Sequence, residues 1–180
     1  MSLVAANARD STRARRDGSP RQLRAYDDGL RIITFDAHYR DAFKRLNVAW
    51  LTKYFRVEPI DERVLGNPEV ELLEPGGEIL FALLDGEVIG TVALRPEESG
   101  AFELTKMAVD ERWQGRYFGK RLLEAACEFA RELGAPKVVL YSQRALQAAV
   151  TMYAKYGFTE VPLVDKRYAR CDVKMERSLR

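Results

Sequence analysis

Two apolar runs, EILFALL at 78–84 and EVIGTVALR at 87–95, flank the dipeptide Asp85-Gly86. Both central positions of a tight hairpin turn require positive φ, which Gly accepts freely and Asp tolerates, so the dipeptide ties the runs into antiparallel neighbours. Glu98-Ser99-Gly100 turns the chain again, and Ala101 to Val109 supplies a third strand. Three consecutive strands laid down this way form an antiparallel meander, and every other element has to be placed around it.

The flanking segments read as helices and further strands. LRIITF at 30–35 is a short apolar run, and Asp36 follows at an N-cap position. Tyr39, Phe43, Leu46, Trp50 and Tyr54 come next at spacings of four, three, four and four, which stacks them on one helical face. Short helical segments are predicted at Asp61 to Leu65 and from Pro68, the second ended by Glu74-Pro75-Gly76-Gly77. Past the meander, Leu122, Ala126, Phe129, Ala130 and Leu133 make a helical stripe stopped by Gly134 and Pro136, and KVVLY at 137–141 reads as a buried strand. Leu146, Ala149, Val150 and Tyr153 share one face of a last helix with Gly157 as its C′ residue. Phe158 to Val161 and the alternating segment Arg170 to Glu176 close the sheet.

A chain of 180 residues fits one domain, and no stretch approaches the ~20 apolar residues of a membrane span. Cys127 and Cys171 have no CxxC spacing and read as buried thiols of a reducing, cytoplasmic compartment, while a single histidine, His38, argues against a metal site. Residues 1–24 carry six arginines against two aspartates and lack an apolar stretch, so they are predicted to be a disordered basic tail rather than a secretory signal. The net charge of the whole chain is only +2, which leaves the expected domain, 25–180, slightly acidic and a poor electrostatic match for nucleic acid.

The segment Val109 to Lys120 is a strand that enters a polar loop and then a helix directly. The unsatisfied amides of a helix's first turn, with the positive end of its dipole, suit a pyrophosphate. Gly115 and Gly119 permit close backbone approach, and Arg116 and Lys120 offer charge-assisted bonds.

With the second half of the chain, the sequence resembles the GCN5-related N-acetyltransferase (GNAT) superfamily. The acyl-CoA signature of that family falls on Gln114, Gly115, Arg116, Tyr117, Phe118 and Gly119, with Tyr117 where the signature has its first glycine. The family's later Ala-x-x-x-Tyr-x-x-x-Gly-Phe pattern falls on Ala149, Tyr153, Gly157 and Phe158, and Gln143 stands where many relatives have an Asn that bonds the pantetheine arm. The resemblance runs from about Leu30 to Leu179. It implies an α/β (α+β) fold with a mixed, mostly antiparallel sheet, helices on both faces, and a splay between the strands at 103–109 and 137–141.

What the resemblance implies for chemistry is direct transfer of an acetyl group from acetyl-CoA to a primary amine of a small molecule or peptide. Pantetheine would pair with the free edge at Met107, Ala108 and Val109, and an amide of that strand would polarise the thioester carbonyl. An alkylamine is protonated at neutral pH, so a base has to take its proton. Glu103 is the expected general base, acting through a water, and Tyr153 the expected acid for the departing thiolate. Trp50, Tyr54 and Phe55 are the expected acceptor site. The opposing reading is a binding or regulatory module that keeps the fold and performs no transfer. A homodimer is compatible with an edge strand near the C-terminus.

Overall fold

The computed structural model describes residues 19–164 and 167–180. The elements in chain order are β1 (Gln22–Ala25), β2 (Arg31–Ile33), α1 (Arg40–Tyr54), α2 (Pro59–Gly66), β3 (Glu78–Leu84), β4 (Glu87–Pro96), β5 (Phe102–Val109), α3 (Phe118–Glu132), β6 (Lys137–Ser142), α4 (Gln147–Lys155), β7 (Thr159–Val161) and β8 (Val173–Ser178). A π-type turn at Glu69–Leu73 follows α2. Among the described residues one sheet forms in the order β1-β2-β3-β4-β5-β6-β8-β7. Every neighbouring pair is antiparallel except β5 and β6, which run parallel. This is the mixed, mostly antiparallel sheet expected from the sequence.

Each face of the sheet is covered. Leu80, Val92, Leu104 and Leu140 meet Phe118, Leu122, Ala126 and Phe129 of α3 in one core, with Val150 and Tyr153 of α4 at its margin. Ile79, Phe81, Ala93 and Ala108 of the opposite face meet Phe43, Leu46 and Leu51 of α1 and Val64 and Leu65 of α2. Strands buried on both sides explain why EILFALL and EVIGTVALR read as continuous apolar runs rather than alternating ones. Asp85 and Gly86 both have positive φ, 50° and 82°, as a primed hairpin turn requires.

Three boundaries differ from the sequence reading. The strand β1 begins at Gln22, inside the stretch expected to be tail, because it ladders onto β2, and Arg21 and Arg24 add exposed ion pairs to Glu132 and Glu128 of α3; residues 1–18 of that tail lie outside the described residues. Tyr39 sits in a 3₁₀ turn ahead of α1, capped by Asp36, whose carboxylate accepts from the His38 amide at 2.8 Å. The last strand starts at Val173 rather than Arg170, since the Asp172 amide donates to the Ser142 carbonyl while Arg170 turns towards α2.

The feature that positions the site is a bulge in β5. Thr91 pairs with Ala108 but Ala93 with Thr105, so three steps on β5 face two on β4. Lys106, at φ 50°, supplies the extra residue. A one-residue insertion switches which side chains face which way. Phe102 and Leu104 face α3 before the bulge, Met107 and Val109 after it.

Candidate active site

Ladder pairing between β5 and β6 covers Phe102 with Val138, Glu103 with Val139 and Leu104 with Leu140, and goes no further. Beyond Leu104 the two strands separate, and a cavity of about 100 Å³ opens between them. Met107, Gln143, Ala149 and Tyr153 wall one side; Trp50, Phe55, Lys106 and Arg170 wall the other. A separate groove of about 540 Å³ lies between the start of α3 and α4.

The groove is built by the loop read from the sequence. Asp110 caps a 3₁₀ turn at Glu111–Trp113, and the Gln114 side-chain amide donates back to the Val109 carbonyl at 3.0 Å. Gly115 and Tyr117 both take positive φ, 76° and 64°, and Tyr117 is the N-cap of α3. The backbone therefore holds the left-handed conformation that glycine would adopt at the signature position, with the Tyr117 ring 73% exposed. The first-turn amides from Phe118 to Lys120 have no carbonyl one turn earlier to receive them, and the buried Trp113 indole N–H has no hydrogen-bond partner among the described residues. Val109, Gln114, Gly115, Tyr117, Gly119 and Lys120 all line this groove. Arg116 does not; its guanidinium stacks over Trp113 at 4.9 Å. Donor-rich and open, the groove can hold an anionic group such as a diphosphate, and the free edge of β5 can pair with an extended ligand. Ala108 faces the α1 side of the sheet and meets such a ligand only through its backbone.

Around the cavity the structure separates the expected residues. Tyr153 is half-buried, and burial pushes its hydroxyl up to about 12, so it stays protonated as a donor. Gln143 spends one amide hydrogen on the Arg170 carbonyl at 3.0 Å. Trp50 and Phe55 pack against each other at a tilt of 51° with centroids 5.4 Å apart, and both line the cavity. Tyr54 does not: it is 44% exposed and sits beside Lys53 in a shallow pocket near Glu111. The helical stripe carries it past the cavity, because α1 ends there and the chain turns inward at Phe55.

Glu103 is also off the cavity wall. Only 1% exposed, it is bonded to Arg95 and Arg167, and its Oε1 accepts the Tyr168 hydroxyl at 3.2 Å. The Tyr168 hydroxyl lies 3.1 Å from Thr105 Oγ1, and both of those residues line the cavity. Glu103 thus reaches the cavity through Tyr168. Burial, and next the Glu103 charge, push the Tyr168 hydroxyl up to about 12.

The sequence reading missed a buried ionic cluster. Asp61, fully buried, accepts Lys106 Nζ at 2.7 Å and both terminal nitrogens of Arg170 at 2.7 and 3.0 Å. The Glu58 amide adds a fourth bond at 3.0 Å. Burial would raise the Asp61 carboxyl, but Arg170 and Lys106 outweigh it and hold the group below its ordinary value. Burial draws Lys106 down, against the pull of Asp61. One local signal exists: a lysine in the middle of the mostly apolar strand segment LTKMAV.

Comparisons with known proteins agree with this geometry. The model of the acetyltransferase (GNAT) family matches residues 35–158. N-acetylaspartate synthetase of Mus musculus is 37% identical over 92 residues, which are 51% of this chain and 31% of that protein. The chain thus spans about a third of the length of those relatives. YjgM, an N-acetyltransferase of Escherichia coli K12, is 31% identical over 111 residues, covering 59% of this chain and 66% of that one. Among solved structures, a GNAT-family acetyltransferase of Staphylococcus aureus Mu50 superposes with a TM-score of 0.76 at 21% identity, covering 84% of this chain and 99% of that one. YncA of Salmonella typhimurium, solved with acetyl-CoA, gives 0.66 at 21% identity, covering 84% and 94%.

Proposed function

This chain belongs to the acetyltransferase (GNAT) family, its model matching residues 35–158, and we propose that it transfers the acetyl group of acetyl-CoA directly to a primary amine of a small molecule or peptide. The observation that carries this reading is the separation of β5 from β6 beyond Leu104, with a donor-rich groove on one side and a cavity on the other. Gly115, Phe118, Gly119 and Lys120 would hold the diphosphate, and Met107 and Gln143 the pantetheine arm. An amine entering from the side of Trp50 and Phe55 meets the thioester at the split.

Two hydroxyls serve the proton transfers. Tyr153, kept protonated by burial, donates to the sulfur as the carbon–sulfur bond breaks. Tyr168 accepts a proton from the amine side while passing its own along the 3.2 Å bond to Glu103, so its oxygen stays neutral throughout. Glu103 is then the terminal proton acceptor, relayed by a tyrosine in place of the expected water.

Thermal unfolding with acetyl-CoA tests the first half. A ligand at about a hundred times its Kd stabilises by ~2.7 kcal/mol, and at this length each kcal/mol moves the midpoint by about 2–4 °C. A rise of that size, together with amine-dependent thiol release, supports transfer. Binding without release from any amine would identify the non-catalytic module instead.

A further inference from the structure

The cavity presents an incoming acceptor with donors and aromatic faces, and with one carboxylate that is already saturated. Among the described residues Asp61 is the only acidic one on its wall, and its oxygens take four bonds: one each from Lys106 and the Glu58 amide, two from Arg170. A carboxylate has about four lone-pair sites. The ammonium of a substrate cannot bind there without evicting a partner. Lys106 is in the opposite position. Its three hydrogens have Asp61 as their one acceptor among the described residues, and its ammonium also lies over the Tyr168 ring, 4.8 Å from the centroid. The Arg170 Nε–H has no acceptor among the described residues, and Glu58, which shares Arg170 at 3.1 Å, lies outside the wall towards solvent. Among the described residues the wall therefore carries two cations against one anion.

We infer that the acceptor is an amine that also bears a carboxylate, seated by Lys106 and Arg170 so that its amino group faces Tyr168 and the split between β5 and β6. This rests on the transfer reading above and names its substrate class. A carboxylate leaving water for a cavity walled by Trp50 and Phe55 needs charge-assisted partners. Lys106 and Arg170 are present there before it arrives, held rigid by Asp61. A plain alkylamine brings a third positive charge beside the two existing ones and finds no free acceptor among the described residues.

Matched pairs test this: L-aspartate, L-methionine and L-phenylalanine, each against the compound with its carboxylates converted to primary amides, with thiol release from acetyl-CoA as readout. The amides have the more readily deprotonated amine, so a preference for the acids reports recognition of the carboxylate. At least one acid should exceed its amide in kcat/KM by about 10- to 100-fold, the range of a hydrogen bond to a charged group. Lys106→Gln and Arg170→Lys should shrink that ratio several-fold while retaining the acetyl-CoA-induced rise in Tm, which shows that they fold and bind. Amides used as well as acids, or a ratio unmoved in both variants, would overturn the inference and leave the transfer reading intact. If no amine is turned over, the transfer reading fails, and binding still decides the carboxylate site. Succinate with CoA should raise the Tm of the wild type and not of Lys106→Gln; no rise in the wild type refutes the site.

Discussion

The two ends of the split between β5 and β6 are made in opposite ways. The groove end is one continuous segment, Val109 to Lys120, whose donors are backbone amides left open by a helix start. The cavity end is assembled from α2, the β5 bulge and the loop before β8, and its charges are buried and already bonded to one another. An open cradle of amides suits a ligand portion that stays half in solvent. A rigid ionic cluster suits selection of a partner that must be stripped of water. Changes at the cavity end should therefore cost more than changes at the groove end.

The largest expected effect is Asp61→Asn. Removing the shared carboxylate leaves Lys106 and Arg170 facing each other in a buried space, and breaking such a cluster costs about 3–5 kcal/mol. At about 2–4 °C per kcal/mol, the midpoint of thermal unfolding should fall by roughly 6–20 °C. The pH dependence should change too. Asp61 is held below its ordinary 3.8 in the folded chain, so its contribution is complete above that value and lost as pH falls through the folded value beneath it. Acid unfolding of the variant should lack that limb. A variant within about 1 kcal/mol of the wild type at pH 7 would mean that the cluster is far less strongly coupled than its geometry implies.

Next is Tyr168→Phe, which cuts the path from the cavity to Glu103 while preserving ring volume. Loss of a positioned proton-transfer group costs about 10²-fold or more, so kcat should drop on that scale with the KM for acetyl-CoA unchanged. Glu103→Gln should lower kcat similarly, but with a stability loss, because Arg95 and Arg167 lose their common anion. Full activity in Tyr168→Phe beside an inactive Glu103→Gln would direct the proton to Glu103 by another path.

Glu78 sharpens the comparison through contrast with Asp61. It too is buried, but among the described residues its Oε1 accepts only the Phe35 and Ile79 amides, at 3.1 and 3.0 Å. Burial raises its carboxyl above the ordinary 4.5 in spite of those bonds. The folded state therefore holds its proton to higher pH than the unfolded one, and stability falls as pH rises from 4.5 through the folded value. Glu78→Gln keeps a carbonyl for both amides and removes the charge. It should raise stability at pH 7, with the gain vanishing near pH 4 in a series of denaturant titrations. A loss of stability at pH 7 would show that the anion strengthens those amide bonds by more than its burial costs.

The same contrast explains what was legible in the sequence. The hairpin at Asp85-Gly86, α3 with its terminal Gly134, and the groove loop are local, and each is announced by turn residues or periodicity within a dozen positions. The Asp61 cluster is not local: Asp61, Lys106 and Arg170 meet only because of the order of the strands. Position along β5 suggested Glu103 as a base beside the thioester, but a bulge at a lysine leaves no pattern in period-two alternation. By moving the register it gives the cavity to Thr105, Lys106 and Met107 and leaves Glu103 behind Tyr168. Tyr54 was misplaced for a related reason, since a stripe at helical spacing says nothing about where the neighbouring layer stops.

The smallest expected effect belongs to the groove end. Tyr117 holds a left-handed conformation at φ 64° that costs a non-glycine residue roughly 1–2 kcal/mol. Tyr117→Gly removes that strain but adds backbone freedom to the unfolded chain, worth about 0.4–1 kcal/mol in the other direction. The two nearly cancel, and stability should move by less than about 1 kcal/mol. Because the loop already adopts the backbone of a glycine, the amides of Phe118 to Lys120 should keep their places, and acetyl-CoA affinity should change by less than about threefold, under 1 kcal/mol. A tenfold loss in calorimetric titration would instead assign the exposed ring a direct contact with the coenzyme, and the groove would then owe its grip to a side chain as well as to its backbone.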